Sequence, residues 1–133
     1  MDSVVKFIKA CVLVSGLLFI TLFYLERLEN PSITFQNFDE LQASGLIESG
    51  WLPAYFPRSS TNIKEQHNID TNEVNATFQY KASDLINLLK HCHLIEKTEQ
   101  SQKLLCNSRS KRTNTFTLNN DGAGEFHSSY NGI

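Results

Sequence analysis

The chain has 133 residues, a formal net charge of −2, and 20% charged and 11% aromatic residues. This length allows at most one folded domain. The near-neutral charge excludes a basic nucleic-acid binder and an acidic solvating tail, and the aromatic share excludes a disordered chain. Apolar residues are unevenly spread, with 18 among residues 1–27 and 36 among the 106 that follow.

Ala10 to Leu25 is an uncharged run of 16 residues, 13 of them apolar. Apolar character continues back to Val4, broken only by Lys6 and Lys9, whose long side chains can reach the headgroups from near a helix end. The 22 residues from Val4 are enough to cross a ~30 Å hydrocarbon core at about 1.5 Å per residue. No small-x-small cleavage site follows the run, and Lys9 lies too close to Cys11 for a lipoprotein signal. Residues 1–27 are therefore expected to be an uncleaved, single-pass signal anchor. Lys6 and Lys9 on one side against Arg27 on the other favour a cytoplasmic N-terminus and an exported remainder.

Residues 28–37 are polar, contain Pro31 and show no period, so they are expected to form a tether, with the exported domain spanning 38–133. Asp39 is placed to cap a short helix that Gly45 stops. Gly50 to Pro57 carries Trp51, Leu52, Tyr55 and Phe56 between two prolines four apart, which excludes a regular helix or a central strand. An extended stretch packed over the core fits. Rigid aromatics between prolines also bind with little entropy loss, which makes Trp51, Tyr55 and Phe56 candidate contact residues. Alternatively, they cap the core.

Ile63, Glu65, His67 and Ile69 alternate with polar residues, as do Val74, Ala76, Phe78 and Tyr80, and Asp70-Thr71-Asn72 supplies turn chemistry. The pattern predicts a β-hairpin. Ser83 is expected to cap a helix with Leu85, Ile86, Leu88, Leu89 and Cys92 on one stripe. Residues 96–103 are expected to form a solvated loop, followed by strands at 103–107, 113–119 and 124–130 with a turn at Asn120-Asp121-Gly122. The fold class is α+β: an N-terminal transmembrane helix, then a small antiparallel sheet with one packed helix.

A domain this lean in apolar residues is marginal by buried area alone. Cys92 and Cys106 are the two cysteines outside the anchor, and in an oxidising compartment they are expected to pair. His91-Cys92-His93 offers metal-ligand types, but in neither the CxxC nor the HxxxH spacing, so no metal or cofactor is expected. His67 and Asp70 flank one turn, and a hydrolase-like or ligand-binding site there would need a nucleophile such as Ser59 or Ser60. No GxSxG elbow marks one, and a self-bonded turn is the simpler reading. Arg109-Ser110-Lys111-Arg112 is a basic cluster too small for a nucleic-acid patch.

Gly45 to Pro53, the prolines through Ser60, Asn62-Ile63 and His67 to Asn72 together form a GWxPxxxPxS-type segment followed by an HxxDxN-type turn. With two later cysteines, this pattern resembles small bacterial envelope proteins of the YbbD head domain family. The resemblance implies export, a bacterial inner-membrane anchor, a periplasmic C-terminal domain and no particular activity. The expected function is a non-enzymatic binding or accessory module with an envelope protein as partner.

Overall fold

The computed structural model describes residues 1–107 and 111–130, with only the backbone of Glu29 and Asn107 described. Arg109 and Ser110 of the basic cluster lie outside the described residues. The chain divides into two compact units, Met1–Pro31 and Ser32–Ile133.

The first unit is helix α1, Asp2–Glu29. Its 28 residues make a rod about 42 Å long. It is long and apolar enough to cross a membrane, with a mean hydropathy of 2.2. Its apolar side chains point outward all round, as a lipid-facing helix requires.

The second unit is a seven-stranded antiparallel sheet among the described residues. Strand β1 (Ser32–Asn37) leads into helix α2 (Phe38–Ala43), followed after a turn-rich segment by β2 (Thr61–Asn68) and β3 (Glu73–Gln79). A 3-10 turn at Ala82–Asp84 runs into the one-turn helix α3 (Leu85–Leu88). The meander β4 (Cys92–Lys97), β5 (Ser101–Asn107), β6 (Arg112–Asn119) and β7 (Ala123–Tyr130) completes the sheet. The spatial order is β1-β2-β3-β7-β6-β5-β4. Residues 80–91 thus carry the chain from the middle of the sheet to its far edge, and the meander returns strand by strand to pair β7 with β3.

Alternation decides which face is covered. Ile63, Glu65 and His67 on β2, Val74, Ala76 and Phe78 on β3, and Asn114, Phe116 and Leu118 on β6 all point to one buried side. Leu41 of α2, Leu46, Leu52 and Phe56 of the turn-rich segment and Leu88 of α3 cover that side. Phe56 is the centre of this layer. Its ring lies 4.8 Å from Phe78, 6.0 Å from Phe116 and 6.1 Å from Phe126. Gly124, opposite Phe78, leaves room for that ring, since a Cβ there would meet it at 2.5 Å.

Several local expectations change. Ser32–Asn37 is a strand paired with β2 rather than part of a tether, because Phe35 buries against the core while the backbone finds a ladder. The cap of α2 is Asn37, whose side chain accepts a hydrogen bond from the Glu40 backbone N–H at 3.0 Å, not Asp39. Gly45, at φ +79, ends that turn as expected. The helix expected from Ser83 to Cys92 shrinks to a 3-10 turn plus one α turn. Only Leu88 of its stripe is fully buried, while Ile86 and Leu89 are exposed and Cys92 opens a strand. The solvated loop expected at 96–103 is shorter, residues 98–100, and the ends of β4 and β5 take up the rest. The hairpin at 63–80 and the strands at 103–107, 113–119 and 124–130 stand where expected; each strand begins one or two residues earlier, and β2 and β3 each end one residue sooner.

Cys92 and Cys106 are direct cross-strand partners in β4 and β5, their sulfurs at disulfide-bonding distance. The pair ties β4, the outermost strand of the meander, to β5.

Candidate functional site

β2 puts two ionisable side chains on its buried face. Glu65 is fully buried, and its Oε1 lies 2.8 Å from His67 Nδ1. The other carboxylate oxygen, Oε2, is buried without a protein partner. Burial pushes the Glu65 carboxyl up from its ordinary range, and the hydrogen bond and charge of His67 pull it partly back.

The turn-rich segment roofs this pair. Trp51 is half-buried and stacks on His67, with ring centroids 4.2 Å apart and planes 25° apart. Arg112, from β6, holds the same indole with its guanidinium carbon 5.4 Å from the ring. Its Nη1 donates to the Gly50 carbonyl at 3.2 Å and its Nη2 to the Asn72 carbonyl at 3.0 Å. One arginine thus ties the Gly50–Trp51 turn to the β2–β3 turn.

Tyr55 is the second half-buried aromatic. Its hydroxyl accepts a hydrogen bond from Asn114 Nδ2 at 3.1 Å, and its ring stacks on His91 at 4.8 Å and 12°. Burial raises the Tyr55 hydroxyl pKa, and the Asn114 bond opposes that. Beneath it, Asn114 and Ser128 are cross-strand neighbours, and Asn114 Oδ1 and Ser128 Oγ are buried without protein partners. This end of the core is polar, while the other end is a cluster of phenylalanines.

The residues singled out from sequence separate into groups. Trp51 and His67 are brought together. Tyr55 keeps part of its ring at the surface. Phe56 is core and has no accessible ring to offer a partner. Asp70 is exposed in the turn, and the carboxylate that His67 takes is Glu65. Asn68 Oδ1 shapes the turn, accepting from the backbone N–H groups of Asp70 at 3.0 Å and Thr71 at 2.8 Å.

The serines do not join His67. Ser59 Oγ donates to Asp84 Oδ2 at 2.6 Å, and Ser60 is buried with no partner for its hydroxyl. A nucleophile, a base and its orienting group are therefore not assembled around His67. Among the described residues, no three His, Cys, Asp or Glu side chains stand close enough to hold a metal ion together.

Sequence reasoning missed Glu65 as the histidine's partner and Arg112 as the tie. The first had a signal, a carboxylate at an inward position between two core-facing residues. The second depends on a contact spanning 62 positions, which no local pattern carries.

Residues 29–79 match the YbbD head domain family profile, so this stretch resembles that family, and it contains β1 through β3 and the roof. No curated protein and no solved structure matches the chain.

Proposed function

We propose that α1 is an uncleaved inner-membrane anchor with a cytoplasmic N-terminus, and that the sheet domain is a periplasmic, non-enzymatic binding or accessory module for another envelope protein. The resemblance over residues 29–79 and the apolar N-terminal helix support a membrane-anchored domain. The observation that carries the binding reading is the roof. Trp51 and Tyr55 are half-buried, and each is held by a stack on a histidine, so their accessible edges are fixed in advance. Fixed aromatic edges lose little entropy on docking. The reactive side chains below them are engaged in structural pairs, Glu65 with His67 and Ser59 with Asp84. Pairing of Cys92 and Cys106 fits an oxidising compartment.

Site-specific photo-crosslinking in intact membranes tests this. A crosslinker at Ala54, exposed between the two aromatics, is expected to give a discrete protein adduct that Trp51→Ala weakens. The same crosslinker at exposed Thr77, on the opposite sheet face, gives none. Identical products from both positions would overturn the docking surface. A mature mass lacking residues 1–27 would overturn the anchor.

A further inference from the structure

Beside the roof, and separate from the Glu65–His67 pair, a cleft of about 270 Å³ opens between the turn-rich segment and α3. One wall carries Tyr55 and Arg58, and the other Asp84, Asn87, Lys90 and His91. The walls are clamped twice. Asp84 Oδ2 accepts from both the backbone N–H and the hydroxyl of Ser59, at 2.8 and 2.6 Å. Elsewhere the Tyr55 ring lies flat on the His91 imidazole. Ser59 Oγ in turn accepts from the Lys81 backbone N–H at 2.8 Å, which fixes the clamp to the end of β3.

Charge in this clamped space is unbalanced. Arg58 and Lys90 are cationic, and the single carboxylate lining the cleft has one oxygen engaged by Ser59. Among the described residues, no carboxylate forms an ion pair with Arg58 or Lys90 within 4.0 Å; Lys90 Nζ donates to Asn87 Oδ1 at 3.1 Å. The chain as a whole is net negative, so this is a local reversal of sign. Arg58 Cζ lies 5.9 Å from the Phe38 ring, which limits where its donors can go. A guanidinium, an ammonium and an imidazole lining one small space offer the donor types that suit the acceptor oxygens of a phosphate.

We propose that this cleft binds a phosphate group, carried by a soluble phosphate ester or by an anionic lipid headgroup. The cleft shares Tyr55 with the docking surface proposed above, but it needs no protein partner. The stacked Tyr55–His91 wall makes the His91 ring a reporter of occupancy.

The test uses the full chain in maltoside micelles, which contain no phosphate. Inorganic phosphate and glycerol 3-phosphate are titrated while the His91 ring resonance, assigned by its loss in His91→Gln, is followed by NMR. A saturable shift is expected. Replacing Arg58 and Lys90 together by Gln weakens it at least about tenfold. Lys64→Gln, on the opposite sheet face, leaves it unchanged. Arg58 and Lys90 are exposed, and unchanged thermal unfolding confirms that their variant is folded.

Phosphatidylglycerol added to the micelles separates the sources. If it shifts the same resonance and blocks phosphate at least about tenfold, a headgroup occupies the cleft. If phosphate titrates equally well with it present, the ligand is a soluble ester. An equal response to acetate, no saturable shift with either phosphate or lipid, or equal loss in Lys64→Gln would overturn the proposal.

Discussion

The two faces of the sheet each hold a histidine beside a glutamate, and they treat the pair differently. On the covered face, His67 and Glu65 stand 2.8 Å apart, with side chains 9% and 0% exposed. On the open face, His127 lies 3.7 Å from Glu73, both more than two-fifths exposed, and its Nδ1 bonds Asn75 Oδ1 at 2.8 Å instead. The same two residue types are a fixed internal fitting in one place and a solvated, exchangeable contact in the other. Exposed pairs of this kind contribute roughly 0–1 kcal/mol. The buried pair governs how the roof sits, because His67 is the platform under Trp51.

The contrast extends beyond the pairs. On the open face, Lys64, Thr77, Glu125 and Thr117 form one polar rung across four strands, and Gln66, Asn75, His127 and Thr115 form the next. These eight residues line a shallow groove of about 430 Å³. On the covered face, the matching rungs are aromatic and aliphatic at one end and polar at the other. A face that meets water tolerates substitution, and a face that meets a folded layer does not.

The largest effect expected from this difference comes from adjacent residues of β6. Phe116→Ala should cost about 3–5 kcal/mol, because Phe116 is fully buried among Tyr55, Phe56, Phe78 and Phe126. Thr117→Ala, its neighbour on the open face, should stay within about 0.5 kcal/mol. Urea unfolding of the full chain, followed by the fluorescence of its one tryptophan, measures both. Equal losses would remove the distinction between the faces.

Next in size is the cross-strand cysteine pair at the far edge of the covered face. Closing a loop across a separation of 14 residues constrains the unfolded chain by about 3 kcal/mol. Cys92→Ala with Cys106→Ala should lower stability by about that amount, and reduction of the wild type should reproduce it. Thiol labelling of the denatured, unreduced protein checks the premise, since it should mark Cys11 alone among the three cysteines.

Gly124→Ala is expected to cost about 1–3 kcal/mol. The added methyl group would meet the Phe78 ring at 2.5 Å, so that ring must shift out of its place against Phe56. Phe78→Leu in the same background should recover part of the loss. A neutral Gly124→Ala would mean that the covered layer yields more easily than its packing implies.

How far the sequence foretold this structure depends on how strongly each segment is patterned. α1 was legible because its apolar run is long and uninterrupted in its centre. β2 and β3 were legible because Ile63 to Ile69 and Val74 to Tyr80 alternate cleanly. β1 was hidden because only Phe35 of its six residues is buried, so an edge strand reads as a tether. β4 was hidden for the same reason, since Cys92 is its one buried residue. There the apolar spacing from Leu85 to Cys92 imitated a helix, although the strand is held by the ladder to β5. At the candidate site, Trp51, Tyr55 and His67 were recognisable by residue type. Their partners Glu65, His91, Arg112 and Asn114 were set by tertiary contacts.

The smallest effect expected is a pH dependence of the covered pair. Burial raises the Glu65 carboxyl above its ordinary value of 4.5. Above 4.5 and up to the raised value, the folded chain therefore holds a proton that the unfolded chain has released. Folded protein binding more protons means that stability falls as pH rises through this window. Glu65→Gln keeps an oxygen for His67 but does not titrate, so it should flatten that fall. Urea midpoints for the two proteins, measured in steps upward from pH 4.5, give the slopes directly. A wild-type stability that instead rises across the window would mean that His67 holds Glu65 as a stabilised carboxylate. The attraction between the two would then outweigh the cost of burial, and the covered pair would be the stronger of the two ion pairs.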